Sequence, residues 1–238
     1  MAQVINTNIG SLFAGAALNK SAIALQTAQQ RLSSGLRINS SKDDATGLST
    51  ATVYDSQVRG TNIAIRGAND GISKAQTNDG YAGQIIENLQ RLYEIAVQLG
   101  GTATGAETTA LVAENARIAG KTTAAAPVVV DGVGSTVTGV SAVVTAPTGV
   151  TVAAITTDLA TVTTNRAQYG ADMATFASAI ATMQTASVNL SASFSRIMDT
   201  DYAAETTAMT RNNILQQAGT AVLAQANQTP NTVLSLLR

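Results

Sequence analysis

Two short stretches of the chain hold residue types that could do chemistry. Ser41-Lys42 sets a hydroxyl beside an amine, and Asp199 and Asp201, in RIMDTDYAAE, set two carboxylates two residues apart. The chain has no His and no Cys. That excludes Ser–His and Cys–His nucleophiles and leaves a Ser–Lys pair as the remaining common covalent route. Ser41 and Lys42 stand just ahead of a helical pattern, however, and Ser41 with Asp44 three residues on resembles a capping box. Asp43 and Asp44 then lie at the positive end of the helix dipole. Asp199 and Asp201 also precede a helix, where carboxylates serve as caps far more often than as metal ligands. There is no P-loop and no G-x-G-x-x-G. These residues point to no enzyme, no cofactor and no metal. A net charge of −1 without a basic tail gives no electrostatic footprint for nucleic acid.

The elements that would position any such residues are unusual in composition. Charged residues make up 12% and aromatics 3%, while hydrophobic residues reach 45%. The charged share is about half that of an ordinary globular domain. Such a chain must cover its surface with Ser, Thr, Asn and Gln, or hide it against copies of itself. The N-terminus MAQVINTNIG has no basic segment leading an apolar run, so it is no cleavable signal peptide. No apolar stretch approaches the roughly 18 residues of a membrane span, so no membrane insertion is expected. By these tests alone the chain reads as cytosolic.

Heptads dominate the pattern. Ile155, Val162, Tyr169, Phe176, Met183, Leu190 and Ile197 fall seven apart, with Leu159, Arg166, Met173, Ile180, Ser187 and Phe194 between them. This a/d repeat predicts a long helix with a coiled-coil seam. Val58, Ile65, Ile72, Asp79, Ile86 and Tyr93 repeat likewise, and Ala82, Ile85, Leu89, Leu92, Ala96 and Leu99 add a 3,4 alternation. The triplets Asn69-Asp70-Gly71 and Asn78-Asp79-Gly80 carry turn chemistry. Because the heptad phase survives both, a continuous helix from about 45 to 99 is predicted. A third helix is predicted over about 6–34, ended by Gly35, and a short one over about 106–120. Residues 127–152, Val/Thr-rich with Asp131-Gly132 and Pro147-Thr148-Gly149, read as two to four hairpin strands.

The fold class that follows is mainly α. It is a long antiparallel coiled-coil-like rod with paired terminal helices and a small β-hairpin insertion. Residues 1–44 and 200–238 form a terminal helical domain; residues 45–199 form the rod, with a variable insertion at about 121–154. The termini carry apolar rows with no core of their own: Leu18, Leu25 and Leu32, then Ile214, Leu215 and Val222, and finally Val233, Leu234, Leu236 and Leu237. These ten are the candidate self-assembly residues.

MAQVINTN, ALNKSAIALQTAQQRLSSGLRINSSKDDATG, ANDGISKAQTNDG and LQRLYEIAVQ resemble the N-terminal region of bacterial flagellin. SRIMDTDYAAETTAMTRNNILQQAGTAVLAQANQTPNTVLSLLR resembles its C-terminal region. Hook–filament junction proteins share similar ends and are the alternative; the matches to NDGIS and ILQQAG favour flagellin. The resemblance implies a homopolymeric helical filament for swimming, with paired terminal helices innermost and the variable middle projecting outwards. It implies as partners the flagellar type III export apparatus and a chaperone, the filament cap and hook-associated proteins. Export by uncleaved N-terminal information reverses the cytosolic reading to a secreted, extracellular flagellar location. LQRLYEIAVQ is also similar to the patch read by the vertebrate Toll-like receptor for flagellin, with Gln90, Arg91, Glu94 and Ile95 as its candidate residues. Leu89, Leu92 and Ala96 of that stretch are expected to face the rod core.

The resemblance further implies that residues 1–40 and 203–238 order on assembly. Limited proteolysis of the monomer should therefore trim both ends to a core from about 45 to 200. Ends equally resistant in monomer and polymer would contradict this reading.

Overall fold

The computed structural model describes residues 7–122, 128–130, 136–138 and 144–235, with the side chains of 128–130, 136–138 and 230–235 outside that description. Five helices and two strands follow in the order α1 (Ile9–Ser34), α2 (Ala45–Gln98), α3 (Ala106–Ala119), β1 (Val128–Val130), β2 (Thr136–Thr138), α4 (Val152–Met198) and α5 (Tyr202–Ser235). The strands pair antiparallel, with Val129 opposite Val137. The Asp131-Gly132 turn proposed between them lies outside the described residues. Two compact units emerge: Met1–Val53 with Ala192–Arg238, and Tyr54–Ser191.

In the second unit, α2 and α4 share one apolar seam. The α4 row stands as its heptad predicts: Ile155, Val162, Tyr169, Phe176 and Met183 are all buried. On α2 one of the two expected rows forms the seam: Ala82, Ile85, Leu89, Leu92 and Ala96 are fully buried, and only Leu99 of that row is exposed. The same 3,4 alternation runs back through Thr61, Ala64, Ala68, Gly71, Ala75 and Asn78. The seven-residue row Val58, Ile65, Ile72, Asp79 and Ile86 only flanks it, half-buried, while Tyr93 is exposed. Between Thr61 and Ala82 the reason is steric: Phe176 and Tyr169 of α4 fill the interhelical space, so small residues stand in the seam and the β-branched ones lie at its margins.

Gly71 shows this most directly. A Cβ placed there would lie 2.9 Å from two atoms of the Phe176 ring, so the ring rests on bare backbone. Both Asn-Asp-Gly triplets lie inside continuous helix. Asn78 is buried, and Asp79 accepts two bonds from the Arg166 guanidinium at 2.7 and 3.2 Å. Seam position, not local turn chemistry, decides these residues. Helix α3 adds Ile118 and Ala119 to the same core, with Leu111 and Val112 packed against it. The link before α3 turns through Gly100, Gly101 and Gly105, all at positive φ. It is tied to the start of α4 by Ala103 N–H donating to Val150 O at 2.8 Å and Val152 N–H donating to Gly101 O at 3.2 Å.

In the first unit, α1 ends at Gly35, whose left-handed φ of 71° lets its N–H donate back to Arg31 O at 2.8 Å. The next residues run beside the chain leaving α4: Arg37 N–H donates to Met198 O, and Thr200 N–H donates to Gly35 O. The Arg37 guanidinium donates to Ile197 O at 2.8 Å, setting a cation on the last carbonyls of α4. Ile38, Ala51 and Met198 form the small core beneath, with Leu36, Leu48, Phe194 and Ile197 against it.

The capping-box reading is corrected here. Asp44 rather than Ser41 caps α2, accepting from Gly47 N–H at 2.8 Å. Asp43 accepts instead from the N–H groups of Asn39 and Ser40, which hold its carboxyl below the ordinary aspartate pKa. Asp201 caps α5 through the N–H groups of Ala203 and Ala204, and Asp199 sits in a bridge opposite Leu36.

Two glycines inside α2 should respond oppositely to alanine. Gly71→Ala must displace the Phe176 ring and should destabilise by about 1–3 kcal/mol. Nothing lies within 4 Å of a Cβ at Gly80, so Gly80→Ala should stabilise by about 0.5–1 kcal/mol. Thermal unfolding followed by circular dichroism measures both. Equal effects would contradict the seam geometry.

Candidate functional site

Among the described residues no group of three or more acidic side chains could hold a metal ion, and the feature that stands out is exposed apolar surface. That surface is concentrated on the paired helices α1 and α5. They run antiparallel: Asn8 Nδ2 donates to Ala226 O at 2.8 Å near one end, and Arg31 pairs with Glu205 at 3.7 Å near the other. Between them, a Cβ at Gly219 would lie 3.1 Å from Leu18 Cδ1.

The seam is written in heptads on both helices. On α1 the inward positions are Ser11, Ala14, Leu18, Ser21, Leu25, Ala28 and Leu32. On α5 they are Glu205, Met209, Asn212, Gln216, Gly219, Leu223 and Ala226. Only Ala14 and Ala28 of these fourteen are buried, and the leucines and Met209 among them are half-buried, so the seam is thin.

The predicted assembly residues therefore divide. Leu18, Leu25 and Leu32 are half-buried in the intrachain seam. Ile214, Leu215 and Val222 face outwards, with 60%, 49% and 58% of their surface exposed. The side chains of Val233, Leu234, Leu236 and Leu237 lie outside the described residues. Four exposed residues of α1 escaped sequence reasoning: Ile9, Leu12, Phe13 and Ile23. They set a second apolar face on a helix that already has the leucine row, and two apolar faces nearly cancel as a periodic signal. The i, i+3, i+4 spacing of Ile9, Leu12 and Phe13 was the available clue. On α5, Ile214 and Leu215 line an open cleft of about 520 Å³ with Thr206, Thr207, Thr210 and Arg211.

The candidate receptor patch on α2 is sorted by the same geometry. Leu89, Leu92 and Ala96 are fully buried, as expected, and Gln90, Arg91 and Glu94 are exposed. Ile95 is a correction: it packs into the core at 8% exposure and cannot belong to an exposed patch. Arg91 donates to Glu107 of α3 at 2.9 Å and to Glu94 at 3.1 Å, and these hydrogen bonds raise the guanidinium pKa further above its ordinary value. No described helix is long and apolar enough to cross a membrane.

Asp44 and Asp201 cap helices, Asp79, Glu94, Glu107 and Glu205 pair with arginines, and large apolar side chains stand exposed on α1 and α5. Residues 5–125 match the bacterial flagellin N-terminal helical region, and residues 152–237 match the bacterial flagellin C-terminal helical region. The chain belongs to the bacterial flagellin family. Over 98 residues it is 57% identical to a flagellin of Salmonella rubislaw, a stretch covering 41% of this chain and 20% of that protein. The phase 2 flagellin of Salmonella typhimurium is 57% identical over 98 residues, 41% of this chain and 19% of that relative. For the phase 1 flagellin of Salmonella naestved the identity is 55%, with the same coverage. The match thus spans about a fifth of the length of these relatives.

The two classes of apolar residue should act alike in the monomer, where residues 1–40 and 203–238 are expected to order only on assembly. Leu25→Ala and Ile214→Ser should each change urea unfolding of the monomer by less than about 0.5 kcal/mol, while both raise the protein concentration needed for seeded growth. A monomer destabilised by about 1 kcal/mol or more by Leu25→Ala alone would show that the α1–α5 pair is already formed before assembly.

Proposed function

We propose that this protein is the structural subunit of a helical flagellar filament, acting in motility by self-assembly alone. The observation that carries this reading is the outer surface of α1 and α5. A single chain leaves Leu12, Phe13, Ile23, Ile214 and Val222 more than half exposed, and contiguous apolar surface of that kind marks interaction sites. Copies stacking through heterologous contacts that do not close into a ring generate a helix and bury this surface in every subunit. Residues 1–44 and 200–238 are then the innermost layer, and 45–199, with its insertion at about 121–154, the rod outside it. The family supports flagellin over the hook–filament junction alternative.

Export through the flagellar apparatus with a chaperone, an extracellular location, and contact with cap and hook-associated proteins complete the reading. Gln90, Arg91 and Glu94, exposed together, are the residues through which a host Toll-like receptor would read the monomer.

The test is seeded growth of purified protein followed by sedimentation. Deleting the chain from Thr229 removes Val233, Leu234, Leu236 and Leu237, each worth about 1.5–3 kcal/mol when fully buried. Several kcal/mol per subunit raises the critical concentration by orders of magnitude. Helicity of the α2–α4 seam, which uses none of these residues, should persist in far-UV circular dichroism. Elongation of seeds at the full-length concentration would sink the proposal.

A further inference from the structure

Helix α3 carries a defect that the α2–α4 seam lacks. Among the described residues of the second unit, two buried side-chain polar atoms have no hydrogen-bond partner, and both belong to α3: Thr108 Oγ1 and Asn115 Nδ2. Their residues are 4% and 0% exposed and stand seven apart, on one face of the helix. Asn115 spends only its carbonyl, accepting from Asn88 of α2 at 2.8 Å. A buried donor or hydroxyl without a partner has lost its water and gained nothing in return.

The rest of α3 points the same way. It has 14 residues and its N-cap, Gly105, supplies no side-chain bond, so it is near the length at which a lone helix is marginal. Its entry passes Gly100, Gly101 and Gly105 at φ of 80°, 122° and 117°, conformations that glycine adopts without strain. The ion pair that ties it to α2, Arg91 with Glu107, is more than half exposed on both sides and adds little. By contrast Ile85, Leu89, Leu92, Ile155, Val162 and Tyr169 are at most 1% exposed in the α2–α4 seam.

We infer that α3 is a releasable cover: it swings away from α2 as one unit about Gly100–Gly105 while the α2–α4 seam stays closed. Release rehydrates Thr108 and Asn115, which offsets part of the cost of exposing Ile118 and Ala119 with the half-buried Leu111 and Val112. It also parts Glu107 from Arg91 and Asn115 from Asn88, so the outer face of α2 changes its charge pairing without unfolding. Cooperative opening of a single supersecondary piece below the global unfolding free energy is the expected physical form.

Hydrogen exchange of the full-length monomer in low, sub-denaturing guanidinium tests this. Amides of residues 109–119 should exchange at least tenfold faster than those of 82–96, with a weaker denaturant dependence. Thr108→Val keeps the shape and removes one orphan. It should slow exchange across α3 about tenfold, equivalent to about 1.4 kcal/mol, and leave α2 unchanged. Replacing both partners, Asn88→Leu with Asn115→Leu, should act in the same direction. Exchange of α3 at the same rate and denaturant slope as α2 in the unsubstituted protein would overturn the inference, whatever the variants do.

Discussion

The fit of large α4 side chains against a row of small residues on α2 is the constraint on which the second unit depends. Phe176 against Gly71 is its tightest point, because no Cβ can stand between ring and backbone there. Small-into-large packing brings two helices close and makes the contact sensitive to single methyl groups. It also explains how Gly71 sits inside a helix of 54 residues. A glycine there costs about 1 kcal/mol in helix propensity, and tertiary packing at Gly71 is what offsets it. The Asp79–Arg166 pair then fixes one position along the seam with a two-pronged bond, whose geometry is more specific than its partly exposed energy suggests.

The terminal helices solve the opposite problem. Their mutual seam mixes leucines with small and polar residues and is only half-buried, while Leu12, Phe13, Ile23, Ile214 and Val222 face outwards. An isolated pair built this way has little to hold it, since helices of this kind gain most of their stability from a buried apolar face. In the proposed filament the same outward residues gain that burial from other copies of the chain. Weak intrachain pairing and intersubunit burial would then be two consequences of one sequence pattern. Ser, Thr, Asn and Gln, rather than charge, interrupt the apolar rows of a chain with 12% charged residues.

Much of this was legible in the residues. The α4 heptad marked its buried face correctly from Ile155 to Met183, because large apolar residues at a fixed period leave only one inward face. On α2 the Ala82–Ala96 alternation has the phase of the buried seam, whereas the Val58–Tyr93 row is one position out, because periodicity weighs Ile and Val heavily and Ala and Gly lightly, and the first half of the seam is built from small residues. Both Asn-Asp-Gly triplets were read through correctly, since an uninterrupted phase outweighs turn chemistry. The second apolar face of α1 was hidden by the first. Asp44 displaced Ser41 as the cap because an aspartate one position ahead of the first helical residue already reaches the third N–H. Ile95 follows Leu92 by three positions, a spacing that sets both on one face of α2, and the resemblance of the motif outweighed that signal.

The central claim is that the outer face of α1 and α5 is bare in one chain and covered in the polymer. Oxidative footprinting at Phe13, Ile214 and Leu215, run on monomer and on filament at equal protein mass, measures it directly. The account predicts strong labelling of all three in the monomer and at least a severalfold loss in the filament, while Tyr169 and Phe176 stay unlabelled in both. Labelling of Phe13 and Ile214 that is unchanged by assembly would contradict it.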